Sequence, residues 1–237
     1  MAGKIKIPFC LFGKIRDVDL FNDAMKYLVN RSKYDFEFYI STWDDENKNN
    51  IKVPLFHNAI FHNLREDKKL TKITNKHAPF GVSQEKSSAR IAFHIKHVLS
   101  LLKNKKYEFL ILTRPDIFNS VAGIDKHVDD LLKSNINSFN KPIASVKSGL
   151  TVEKSFQLPT DHLYILNKLG VEEFSKMFDR IYTKKENRTQ LTQNIFTDLN
   201  VANKTGAHNI IALYLMLYNF LIINNNIKFS REYYDRE

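Results

Sequence analysis

A mixed, mostly parallel α/β fold, a central sheet flanked by helices, is what this sequence predicts. Three observations carry it. Short, nearly continuous apolar runs at Ile5–Phe12, Phe36–Ile40 and Phe109–Leu112 read as buried strands. Stretches with the helical period lie between them. The two kinds of segment alternate along the first half of the chain, which is the pattern of an α/β sheet.

The first strand, Ile5–Phe12, ends at Gly13. A helix follows, with Asp17 or Asp19 as its cap and an apolar face made by Leu20, Phe21, Ala24, Met25, Leu28 and Val29. Phe36–Ile40 is the second strand, and the polar Ser41-Thr42-Trp43-Asp44-Asp45 reads as the loop at its C-terminal end. Residues 46–86 predict long loops with one short strand. Ser87 or Ser88 then caps a helix whose stripe is Ile91, Ile95, Val98, Leu99 and Leu102, ending in Lys103-Asn104-Lys105-Lys106. Phe109–Leu112 is apolar without alternation, as in a strand covered on both faces. Beyond it the expected elements are a helix over Val121–Leu132, strands at Ile143–Val146 and Leu163–Leu166, and helices over Val171–Ile181 and His208–Leu221.

At 237 residues and 43% hydrophobic content the chain can fill a substantial core, and the sparse Gly and Pro punctuation favours one domain over 1–237. The longest apolar run, Ile210–Ile223, is interrupted by Asn219 and is shorter than the roughly 18 to 20 residues a membrane span needs. The segment after Met1 lacks the features of a secretory signal, and Cys10 is the single cysteine, so a cytoplasmic setting is expected. The 36 Lys and Arg against 26 Asp and Glu leave a formal charge of +10. That excess suits a polyanion: nucleic acid, an anionic membrane or a nucleotide diphosphate. Most aromatics, such as Phe36, Phe38, Phe109, Tyr214 and Tyr218, fall in apolar stripes, where they would be buried rather than offered to bases, so no nucleic-acid partner is expected.

In open α/β sheets ligands gather at the C-terminal ends of strands. Three such ends are visible, at Gly13–Arg16, Thr42–Asp45 and Thr113–Asp116. In the third, Pro115 stiffens a turn that brings Arg114 and Asp116 together. A hard cation such as Mn²⁺ or Mg²⁺ completes its shell with phosphate oxygens and water, so one carboxylate can suffice, and a guanidinium can grip the same phosphates. An ion pair capping the strand is the other reading. His94 and His97 stand three apart on one helix, with His57, His62 or His77 nearby in sequence, but without a motif such as H-E-x-x-H they do not argue for zinc.

In order along the chain, four pieces resemble small GT-A-fold glycosyltransferases that assemble bacterial lipopolysaccharide, capsule and viral surface glycans. Phe12-Gly13-Lys14-Ile15-Arg16 resembles their G-x-x-R loop. Phe36 to Asp44 is similar to their "fdfyisTWd" strand, and the Ser88–Leu102 helix followed by Tyr107–Asp116 to their helix and "TRPD" strand. Asp161-His162-Leu163-Tyr164-Ile165-Leu166 is similar to an element that precedes their acceptor side. The resemblance spans about residues 5–223 and implies transfer of a sugar from a nucleotide-sugar donor to a glycan or lipid-linked acceptor. Asp116 would take the part of the metal-binding Asp, with Mn²⁺ or Mg²⁺ as cofactor. Arg114 stands where the family signature has its first carboxylate. Gly13 and Arg16 would border the nucleotide, Thr42, Trp43 and Asp44 would lie near base and ribose, and Arg90 and Arg114 join the donor-binding set. Trp43 could equally be a core or rim anchor. For a base on the acceptor hydroxyl, Asp161 is preferred over His208, which could instead meet phosphate at a helix start. The competing functions are a catalytically silent GT-A-like scaffold and a basic nucleic-acid-binding module.

Overall fold

The computed structural model describes residues 5–45, 50–51, 56–75, 82–116, 118–119, 121–153, 156–183, 211, 214–215, 218–225, 227 and 229–230. Strands β1 (Lys6–Phe12), β2 (Asp35–Trp43), β3 (Phe56–His62), β4 (Phe109–Thr113), β6 (Ile143–Glu153), β7 (Phe156–Asn167) and β8 (Leu221–Asn224) form a seven-stranded sheet in the order β3-β2-β1-β4-β7-β6-β8. β1 runs parallel to β2 and β4, β2 to β3, and β6 to β8; β7 alone is antiparallel to both neighbours. A two-stranded ribbon of β5 (Phe118–Asn119) and β9 (Phe229–Ser230) lies outside it.

Strand alternation divides the core into two layers. Ile7, Phe9 and Leu11 of β1 with Phe36, Phe38 and Ile40 of β2 pack against α1 (Val18–Arg31) and α4 (Val121–Ser134). Cys10, Phe12, Tyr39, Leu110 and Leu112 face the opposite way, onto α3 (Val82–Ser100) and α5 (Lys168–Ser175). Helix α2 (Leu64–Asn75) lies beside α3. The N-cap of α1 is Asp17, whose carboxylate accepts from the Leu20 amide at 3.0 Å. Asn167 caps α5: its Oδ1 accepts from Gly170 N and from Ile143 N, both at 2.8 Å, and its Nδ2 donates to the Lys141 carbonyl at 3.0 Å.

Four local expectations are corrected. β2 continues through Ser41, Thr42 and Trp43, all buried, because β3 pairs with them and supplies the ladder that a loop would lack. Residues 46–86 contain α2, a charge-rich helix that buries Leu70 and whose low apolar content reads as loop. α3 begins at Val82, so Ser87 and Ser88 lie inside it. The run Ile210–Ile223 is not one helix: Asn219 takes a left-handed φ of 55°, and Leu221 onward forms β8.

Candidate functional site

Because β2, β1 and β4 are adjacent and parallel, their C-terminal ends fall side by side at one edge of the sheet. The loop after β1 makes the joint. Gly13 adopts φ +106°, a conformation that a Cβ disfavours, and its N–H donates to the Ser41 carbonyl of β2 at 3.0 Å. Ile15 anchors the loop in the core. From this loop Lys14 reaches one way, its Nζ 3.5 Å from Asp45 Oδ2, and Arg16 the other, its Nη1 3.5 Å from Asp116 Oδ2.

At the end of β4, Arg114 donates through Nε to Asp116 Oδ1 at 2.8 Å and through Nη2 to Asp116 Oδ2 at 2.7 Å. Both side chains are largely buried, at 16% and 14% exposure, whereas Arg16 is 66% exposed. The strand-capping ion pair is therefore present, and a second arginine approaches the same carboxylate. Gly13, Arg16, Asp44, Arg114 and Asp116 thus share one edge.

Thr42 and Trp43 are buried, and the Trp43 indole stacks on Phe93 (centroids 6.0 Å apart, planes at 7°) with its edge against His94 at 4.5 Å. The ring is thus packed among core aromatics, as the anchor reading expects. Arg90 is held on α2 by a two-pronged ion pair, Nη2 to Asp67 Oδ2 at 2.7 Å and Nε to Oδ1. It locks α3 to α2. Position 161 lies in β7, and the antiparallel register Thr113↔Leu163 carries β7 past the end of β4, so the backbone at Asp161 passes the Arg114–Asp116 turn. His208 lies outside the described residues.

Below the Asp44 loop is a polar network that sequence reasoning missed. Asp44 N–H donates to the His62 carbonyl at 2.8 Å. The Ser41 hydroxyl lies 2.9 Å from His62 Nε2 and 3.0 Å from His94 Nδ1, and His62 Nδ1 is 3.1 Å from Glu66 Oε2. Burial pushes the His94 pKa well below its usual range, with His62, His97 and Arg90 adding to the effect; burial also lowers those of His62, against the pull of Glu66, and of His97. The spacing of His94 and His97 and the nearness of His62 were visible in sequence, whereas the joining of Ser41 of β2 and Glu66 of α2 to them was not. Among the described residues no three His, Cys, Asp or Glu side chains are grouped to hold a metal ion.

The fold is GT-A-like, a mixed and mostly parallel α/β sheet flanked by helices. Its layout is similar to that of mouse xyloside xylosyltransferase 1 in the apo form, at a TM-score of 0.55 and 10% identity over 92% of this chain and 85% of that one. The glycosyltransferase GlyE of Streptococcus pneumoniae TIGR4, also apo, aligns with a TM-score of 0.45 and 11% identity over 92% of this chain and 45% of that one, so the chain spans under half of GlyE. No protein-family model and no curated protein sequence matches the chain. Among the described residues no helix is long and apolar enough to cross a membrane.

Proposed function

We propose that the chain is a glycosyltransferase that binds a nucleotide-sugar donor at the edge formed by the Gly13–Arg16, Asp44–Asp45 and Arg114–Asp116 loops and transfers the sugar to a glycan or lipid-linked hydroxyl. The observation that carries this reading is the joining of three strand-end loops, the first to the second through Lys14 and Asp45 and the first to the third through Arg16 and Asp116. Ligands of open α/β sheets sit at such a place. The GT-A-like fold supports it.

Charge balance bears on the cofactor. Lys14, Arg16 and Arg114 contribute +3 and Asp44, Asp45 and Asp116 contribute −3, so the edge carries no net charge. A diphosphate brings negative charge that this set leaves uncompensated. The residues fit a hard divalent cation in one form: Asp116 as the single carboxylate, with phosphate oxygens and water completing the shell. Mn²⁺ or Mg²⁺ bound there would stabilise the departing nucleoside diphosphate as a Lewis acid. For Asp116 to serve it, the Arg114 fork must turn from the carboxylate toward the diphosphate, where two parallel N–H donors suit phosphate geometry. Exposed Arg16 adds a second donor from the opposite loop. Asp161, whose strand passes this turn, takes the acceptor proton in this reading. One domain accounts for the activity, in the cytoplasm and with the positive excess directed to an anionic membrane that carries the acceptor.

The Arg114–Asp116 pair also gives a silent GT-A-like scaffold its specific support, because a saturated pair is a stable strand cap. A thermal-shift screen of nucleotide sugars with and without Mn²⁺ separates the two, since a ligand that binds only the folded state raises the melting temperature. Selective stabilisation by one nucleotide class, enhanced by Mn²⁺, is expected. No shift with any nucleotide sugar would favour the scaffold.

A further inference from the structure

With both imidazoles neutral, the Glu66–His62–Ser41–His94 chain has one consistent assignment of protons. A carboxylate only accepts, so His62 Nδ1 carries the hydrogen that points at Glu66 Oε2, 3.1 Å away. Neutral His62 then offers Nε2 as an acceptor, and the Ser41 hydroxyl 2.9 Å from it must donate. Ser41 Oγ, its proton committed, accepts from His94 Nδ1–H at 3.0 Å. That leaves His94 Nε2 as an unprotonated acceptor, buried without a partner among the described residues. Every proton in the chain has a partner, and the orphan is a lone pair rather than an N–H. Ser41, His62 and His94 are each at most 6% exposed, so no water competes for these groups in bulk.

This chain is anchored at the two backbone carbonyls that hold the loop edge. Ser41 accepts the Gly13 amide and His62 accepts the Asp44 amide. The network joins the side chains of the same two residues across β2 and β3, and the Arg90–Asp67 pair fixes the start of α2, which carries Glu66.

We propose that Glu66, through His62 and Ser41, is a positioning residue for the donor edge: by selecting one imidazole tautomer it holds the ends of β2 and β3 in the arrangement that fixes the amides of Gly13 and Asp44. The role rests on the donor reading above, but the device itself is measurable without it. Glu66 sits in the first turn of α2 with a side chain 42% exposed, so it can be changed at small cost to packing. Glu66→Gln keeps an oxygen acceptor for His62 Nδ1–H, and Glu66→Ala removes it.

The test is amide hydrogen exchange and imidazole ¹⁵N NMR on the full chain, with Mn²⁺-dependent binding of UDP, GDP and dTDP measured by calorimetry. Wild type is expected to show His62 as the Nδ1–H tautomer at neutral pH. In Glu66→Ala, exchange at Gly13 and Asp44 should rise on the order of tenfold, the effect of losing roughly one hydrogen bond of local order, while Ile111 in β4 is unchanged. Affinity for whichever nucleotide wild type binds should fall by a similar factor, and Glu66→Gln should restore both. A uniform rise in exchange at all three amides, or an Nε2–H tautomer in wild type, would overturn the device. Unchanged nucleotide affinity in Glu66→Ala, with the exchange effect present, would overturn its role in donor binding alone. Absence of nucleotide binding by wild type would overturn the donor reading, and with it that role, leaving the tautomer and exchange results to decide the device.

Discussion

Arg114 grips both oxygens of Asp116, Nε on Oδ1 at 2.8 Å and Nη2 on Oδ2 at 2.7 Å, at the point where β4 leaves the sheet. The turn Arg114-Pro115-Asp116 is short enough for the fork to meet the carboxylate within one loop, and Arg16 of the neighbouring loop stands 3.5 Å from Oδ2. The carboxylate therefore enters any reaction already paired. Its function depends on whether a donor and a cation can redistribute those partners.

Asp116→Asn tests this directly. The amide keeps the volume but removes the charge a hard cation requires. We expect transfer to fall about 100- to 1,000-fold, as when one preorganised electrostatic partner of a transition state is lost. Melting temperature should fall as well, because the two-pronged pair with Arg114 is lost under either reading. Turnover per folded molecule discriminates: it stays near wild type if the pair is only a strand cap, and both are read on one preparation.

The +10 formal charge leads to a second expectation. Binding to anionic vesicles should exceed binding to neutral ones and weaken as salt rises, because exposed charges are screened over about 8 to 10 Å near physiological ionic strength. Co-sedimentation across a salt series measures it, and equal binding to both vesicle types would count against a membrane-facing surface.

Acid should destabilise the fold before its carboxylates titrate. Burial lowers the pKa values of His62, His94, His97 and His127 in the folded protein. The unfolded chain takes up these protons near pH 6.5, so it binds more protons than the folded chain below that value. Stability is therefore full above about pH 6.5 and falls as pH drops, by at most about 1.4 kcal/mol per pH unit for each such proton. Denaturant titrations at pH 7.5, 6.5, 5.5 and 5.0 read the slope; a flat profile across this window would contradict the buried histidine arrangement.

Gly170→Ala should be destabilising although Gly170 is helical. An added Cβ would stand 2.5 Å from the Ile143 carbonyl oxygen of β6 and 3.0 Å from Asn167 Oδ1, the acceptor that caps α5. The backbone must shift to admit it, at about 1 to 3 kcal/mol. A fall in melting temperature of about 2 to 4 °C per kcal/mol is expected for a chain of this size. An unchanged melting temperature would mean that α5 is not seated on β6 as described.

The strands β1 and β4 and the helices α1 and α4 were legible in the sequence because each carries its own signal. Phe109–Leu112 is apolar throughout, Asp17 caps a regular stripe at Phe21, Met25 and Leu28, and Val121–Leu132 repeats at the helical period. The loops at Gly13 and at Arg114–Asp116 were legible for the same reason, since each closes a strand that local composition defines. The sequence thus determined a parallel α/β core and the chemistry available at its edge. The structure decided what depends on partners distant in the chain. Thr42 and Trp43 became strand because β3 pairs with β2, Ser41 being held by β1 as well, and Arg90 and His62 hold the first turn of α2, which buries Leu70. Trp43 turned to the core because Phe93 and His94 of α3 supply the surfaces for its ring. Arg90 found its partner for a similar reason: a carboxylate on α2, 23 residues away in sequence, lay within reach of its fork. Hydrogen bonds and ring contacts of this kind are short in range and long in sequence separation, so residue type and spacing carry no record of them until the chain is folded.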